Sequence, residues 1–179
     1  MTVPAAARDN ETMSTVSGDQ RWLVSWHPAG PAPSGRNHGA AGICIGHDGR
    51  DLVLISHDQI HWGFPAGRPE GGESLQATLA REMYEEACVD VLDARLLGFA
   101  RSECTQGHEQ GLVLVRSYWL AHVVIGQWEP RYEIAHRRIV PAAQATRHVR
   151  DPDPIATRIA MRALVEARLS EQNRDINQK

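Results

Sequence analysis

The chain has 179 residues, of which 42% are hydrophobic and 23% charged, and its formal net charge is −3 at pH 7. That length suggests one domain plus appendages and can bury a full core without cross-links. The charge balance advertises no basic footprint for nucleic acid. Cys44, Cys88 and Cys104 are widely separated and form no CxxC pair, which argues against a disulfide framework or a zinc site and fits a reducing cytoplasm.

Residues 1–20 are polar and rich in small residues, without a basic stretch followed by an apolar run, so they read as a mobile tail with no secretory signal. No apolar run approaches the length of a membrane span. Residues 21–26 read as a short strand or interaction segment, with Trp22 and Trp26 as packing residues. Residues 27–39 carry Pro28, Pro31 and Pro33 among other turn formers and read as a linker. The core begins near Ala40. Two β-rich runs, 41–45 and 52–56, flank Asp48-Gly49, a hairpin signal. A third strand is expected over 61–64, then a turn over 65–72.

Ser74 is placed to cap a helix over 74–87. Leu75, Leu79, Met83 and Ala87 recur every four residues and form one apolar stripe. Strands are expected over 89–100, 111–124 and 134–140, with 101–110 as a polar loop. Pro152 and Pro154 open a C-terminal helix to about Ser170. One helix among several strands, with a second at the end, indicates a mixed α/β layered domain. The expected division is a tail and linker over 1–39, a core domain over 40–145, and a C-terminal helix and tail over 146–179.

The helix carries an unusual set of charges. Glu82, Glu85 and Glu86 stand at i, i+3 and i+4 and share a stripe beside the apolar one. Three carboxylates on one patch repel one another at neutral pH. A hard divalent cation with oxygen ligands removes the conflict. The plain alternative is a solvated helix face. Gly67 and Glu73 upstream, at fixed offsets from Arg81-Glu82, argue against it.

Residues 67–89 run Gly67, five residues, Glu73, seven residues, Arg81-Glu82, Met83, one residue, Glu85-Glu86, one residue, Cys88 and Val89. This resembles the box of the Nudix hydrolases, and only Cys88 departs from it, standing where the family has Gly. The six matched glycine and polar positions would coincide by chance in on the order of one window in ten million. The resemblance covers about residues 40–144 and implies the Nudix fold, a mixed sheet flanked by helices in an α/β/α sandwich. It also implies a hydrolase, dependent on magnesium or alternatively manganese, that cleaves a diphosphate linkage in a nucleoside diphosphate bound to another group.

Carried over by position, the metal ligands are Glu82, Glu85 and Glu86, with a backbone carbonyl of Ala66 or Gly67. Arg81 pairs with Glu73 and orients the cluster. The general base is Glu82, or a carboxylate from a later segment, for which Glu133, Glu103 and Glu109 are candidates. Cys88 falls where the family's backbone is commonly left-handed, so the turn is either re-formed or strained. Arg101, Arg116 and Arg138 are candidate phosphate contacts. His57, His61, Trp62 and Phe64 are candidate pocket residues, with a core role expected for Phe64. The Thr105-Gln106-Gly107 region carries neither subfamily marker, proline nor tyrosine, so the substrate stays open. A small nucleotide is the expected partner, nucleic acid and membrane are not, and a homodimer fits the family. A domain that binds nucleotide as a sensor, with weak catalysis, is the second reading.

Overall fold

A computed structural model describes residues 3–130 and 134–169. Eight strands form one mixed sheet: β1 (Met13–Ser17), β2 (Gln20–Pro28), β3 (Arg36–Gly46), β4 (Asp51–Ser56), β5 (Ala66–Gly67), β6 (Val89–Gln106), β7 (Val113–Ile125) and β8 (His136–Pro141). The order is β1-β2-β6-β7-β3-β4-β8, with β5 paired to β3. Only β3 and β7 run parallel; the other pairings of named strands are antiparallel. Among the described residues three α-helices complete the fold: α1 (Leu75–Ala87), α2 (Ala145–His148) and α3 (Pro154–Glu166).

Alternation along the central strands builds two cores, because successive side chains on a strand point to opposite faces. Ile43, Ile45, Leu52 and Leu54 face one side, where they join Trp26 and the α3 residues Ile159, Ala163 and Leu164. Cys44, Val53 and Ile55 face the other, where α1 lays Leu79, Met83 and Ala87 on Val89, Trp119 and Val123. The expected layering, a mixed sheet flanked by helices, is therefore the observed one. Asp153 caps α3, its carboxylate accepting the Ile155 amide at 2.8 Å, and Pro154 takes the first turn.

Several elements differ from the sequence expectation. Part of the expected tail forms β1, which pairs with β2, and Ala7 is buried. Arg158 and Arg162 on α3 hold the segment before β1, through Glu11 at 2.9 Å and Asp9 at 2.7 Å. The expected linker ends early because β3 begins at Arg36. Residues 61–64 form no strand; only Gly63 bridges Ile55 there, and the short strand falls at Ala66–Gly67. The polar residues expected as a loop after Ala100 continue β6 to Gln106, because β2 pairs along them. Trp22 and Trp26 pack inside as expected, and Trp26 is fully buried.

Candidate functional site

Helix α1 starts where its chemistry allows: the Ser74 hydroxyl accepts the Ala77 amide at 3.1 Å. Its buried stripe, Leu79, Met83 and Ala87, fixes its rotation on the sheet. That rotation directs Arg81, Glu82, Glu85 and Glu86 toward the turn that follows β5. Arg81 is the hub. Its Nε donates to Glu73 Oε1 at 2.9 Å and its Nη2 to Glu73 Oε2 at 3.1 Å, a two-point clamp. Nη2 also donates to the Arg68 carbonyl at 2.8 Å, while Nη1 meets Glu82 Oε1 and Glu85 Oε2, each at 3.0 Å. The Arg81 hydrogen bonds, aided by the Glu70 amide, lower the Glu73 carboxyl to about 2.

Glu82 is buried, and desolvation pushes its carboxyl above the usual range despite Arg81. It lies against Gly67, where a Cβ would fall 1.8 Å from Glu82 Oε1. A glycine at the head of the box therefore makes room for the glutamate fifteen positions on. Glu86 points to the same place from the next turn, accepting the Ala66 amide at 2.8 Å. The resulting donors are hard oxygens, the chemistry magnesium or manganese requires. Among the described residues no three such side chains converge on one point, because Glu82 and Glu85 lean on Arg81 and Glu86 on Ala66. The donor type suits a divalent cation, while the room at Gly67 is taken by the Glu82 carboxylate itself.

Cys88 holds the left-handed backbone, φ 52° and ψ 50°, and its amide caps the helix on the Met83 and Tyr84 carbonyls. Its thiol donates to the Glu129 carbonyl at 3.3 Å. The departure from glycine thus leaves the helix end in place at a cost in backbone strain. Arg137 covers the same end, its Nη1 donating to the Ala87 carbonyl at 2.8 Å and the Gly126 carbonyl at 3.0 Å.

The box turn is continuous with a cleft of about 470 Å³ between the sheet and α3, which Arg68 lines. Arg36, His38 and Arg116 also line it, with Trp22 and Tyr118 as aromatic walls. Arg116 Nε is buried and has no hydrogen-bond partner among the described residues. Desolvation, then Arg116, Arg68 and Arg36, lower His38 to about 4, with Glu109 opposing. Three guanidiniums thus surround a neutral imidazole, with Glu109 and Asp153 as the acidic residues of the lining.

Of the earlier candidates, Arg116 and Glu109 line this cleft. Glu109 accepts Gln20 Nε2 at 2.8 Å. Arg101 and Glu103 pair with each other at 2.9 Å, outside the cleft lining. Arg138 lies over the Trp62 ring, elsewhere. His61 pairs with Asp58 at 2.6 Å in its own loop, and Phe64 packs on the core. His57 does not line this cleft, and Glu133 lies outside the described residues. Arg36, His38, Arg68, Trp22 and Tyr118 escaped the sequence reading. Arg36 and His38 fall in the stretch expected as a linker. Their two-residue spacing, with Arg116 and Tyr118 spaced alike on β7, was the available signal, and the parallel β3–β7 register brings the pairs together.

The sequence profile described as the NUDIX domain matches residues 36–160. The NAD-capped RNA hydrolase NudC of Mycobacterium tuberculosis is 26% identical, the match covering 81% of this chain and 55% of that protein. The Mycobacterium bovis protein of the same name matches equally. The chain spans about half the length of the curated relatives it matches. In three dimensions it resembles a Bacillus subtilis pyrophosphohydrolase with a TM-score of 0.55 at 19% identity, covering 83% of this chain and 92% of that one. That likeness concerns the fold.

Proposed function

Since this chain belongs to the Nudix family, we propose that it hydrolyses a diphosphate linkage in a nucleoside diphosphate bound to another group, using magnesium or manganese. The observation that carries this reading is a carboxylate cluster organised by Arg81 and opening, through Arg68, into a cleft of guanidiniums. Glu82, Glu85, Glu86 and a carbonyl of the Ala66-Gly67 turn would hold the cation. When bound, it neutralises phosphoryl oxygens and lowers the pKa of attached water. Glu73 anchors Arg81, and Arg81 positions the glutamates. We assign to Glu82 the uptake of a proton from the attacking water. Arg36, Arg68 and Arg116 hold the phosphates in place, which is most of what phosphoryl transfer asks of a protein. Trp22 and Tyr118 form the wall for the rest of the substrate.

The substrate we propose is a small nucleotide. A 470 Å³ cleft suits a ligand of that size, and the net charge of −3 offers no extended path for nucleic acid. Three free thiols, two of them buried, agree with a reducing cytoplasm. No helix among the described residues is long and apolar enough to cross a membrane.

A phosphate-release assay over a nucleotide panel with magnesium, with and without added phosphatase, tests the reading. The panel includes NAD and an NAD-capped RNA, in view of the relatives' name. Turnover of at least one small diphosphate, abolished by chelation, is the expected result. Tight binding without turnover on any of them would replace the hydrolase with the sensor. The engagement of both Glu82 and Glu85 by Arg81 is the feature that would then explain the idle cluster.

A further inference from the structure

The cleft between the sheet and α3 is polarised along its length. Its sheet lining crosses β1, β2, β6, β7 and β3 in that spatial order. At ordinary strand spacing this is a floor of about 19 Å, longer than a diphosphate alone fills. Among the described residues, every arginine of the lining comes from one end. Arg36 stands on β3, Arg116 on β7, and Arg68 follows β5, which pairs with β3. The other end is built by β1, β2 and the start of α3, with Thr15, Gln20, Trp22, Asp153 and Ile155.

Both acidic residues of the lining are tied to that second end. Gln20 Nε2 donates to Glu109 Oε2 at 2.8 Å, and the Glu109 amide donates back to Gln20 Oε1 at 3.0 Å. Gln20 is buried, and the Cys104 thiol donates to the same Oε1 at 3.4 Å, so the side-chain amide is held in one orientation. Thr15 Oγ1 donates to Asp153 Oδ2 at 3.0 Å, while Asp153 Oδ1 accepts the Ile155 amide at 2.8 Å. Asp153 thereby meets the positive end of α3 with a carboxylate, which leaves it no pull on a phosphate. Trp22 is buried and lines the cleft, yet belongs to neither of the two cores.

Phosphates settle among guanidiniums and are repelled by carboxylates. A ligand with its diphosphate at Arg36, Arg68 and Arg116 therefore lays an uncharged part against Trp22. A further anionic group there would meet Glu109 and Asp153, and such repulsion discriminates between ligands. Strands β1 and β2 precede residues 36–160, the stretch matched by the NUDIX profile. Resting on the reading of this cleft as the substrate site, we propose that the β1–β2 hairpin is its selectivity wall. Trp22 seats an uncharged ring such as a nucleobase. Glu109 and Asp153, held by Gln20 and Thr15, exclude a substrate with an additional phosphate on its sugar.

Calorimetric titration of the full chain with magnesium tests this, using ligands whose bridging oxygen is a methylene group so that none is cleaved. The ligands are methylenediphosphonate, the α,β-methylene diphosphates of the common ribonucleosides, and the 3′-phosphate of the tightest of these. The tightest nucleotide is expected to bind at least about ten-fold better than methylenediphosphonate. Trp22→Leu should lose that advantage while keeping its affinity for methylenediphosphonate. The 3′-phosphate should weaken native binding at least about ten-fold, and Glu109→Gln/Asp153→Asn should remove most of that penalty. Nucleotides no tighter than methylenediphosphonate overturn the proposal, as does an advantage that survives Trp22→Leu. So does a 3′-phosphate that costs nothing, or that costs as much in the double variant. If either variant melts early, Glu109→Gln alone decides by the same comparison. Arg116→Ala should weaken every ligand alike; if it weakens none, the phosphates lie elsewhere and the wall falls with them. Turnover is measured separately. This binding pattern without turnover sinks the hydrolase and keeps the wall, and turnover without the pattern does the reverse.

Discussion

Gly67 and Glu82 show how one residue's absence makes room for another's function. The glycine is needed at its position because a carboxylate occupies the space of a Cβ. Glu86 is a direct probe of the cluster, since its carboxylate reaches from the helix to the Ala66 amide of β5. Glu86→Gln keeps the shape and removes the charge, so turnover should fall at least about ten-fold while the circular dichroism spectrum is unchanged. Near-normal rates would remove Glu86 from the metal site. Cys88 poses the opposite question, because its left-handed backbone suits glycine. Cys88→Gly should raise the unfolding free energy by about 1 kcal/mol, measured by chemical denaturation, as the strain is relieved. A lower value would mean that the thiol's contact with the Glu129 carbonyl matters more than the strain.

At the scale of elements, α1 is the part whose two ends matter most. Ser74 closes its start with a side chain close in sequence, while Arg137 closes its end from β8. A cation against the last carbonyls also opposes the helix dipole. Arg137→Ala leaves those carbonyls and the Gly126 carbonyl short of a donor, at a cost of about 1–3 kcal/mol. A melting temperature several degrees lower is expected for the variant, and an unchanged one would show that water replaces the guanidinium without loss. The same loss should loosen the aim of Glu85 and Glu86, which stand within the last turn.

Across the whole molecule, the cleft between sheet and α3 joins β2, β3, β7 and the box turn. Its charge predicts a pH effect. His38 is held at about 4 in the folded chain against an ordinary 6.5. The folded state therefore binds fewer protons than the unfolded state between those values. The neutral ring carries no penalty above 6.5, and stability falls as the pH drops from 6.5 toward 4. A bound polyphosphate offsets Arg36, Arg68 and Arg116 and adds to the pull of Glu109, so it should raise the His38 pKa. NMR titration of the imidazole, with and without nucleotide, measures this. An unaltered titration would place the phosphates elsewhere.

Much of this protein was readable in one dimension because its determinants are local. The box helix, its Ser74 cap, its apolar stripe and its row of glutamates depend on a period of 3.6 and on residues a few positions apart. The β3–β4 hairpin followed from Asp48-Gly49, and the start of α3 from Pro152 and Pro154. What the sequence could not show depended on distant partners. Polar residues 101–106 became strand because β2 lies alongside, and residues 13–17 became strand because β2 lies on their other side as well as α3's arginines nearby. The anion cleft is the strongest case. Arg36, Arg68 and Arg116 are far apart in the chain and carry no mutual spacing rule. Only the parallel pairing of β3 with β7, and the close approach of Gly39 to the Gly67 carbonyl, set them around one space.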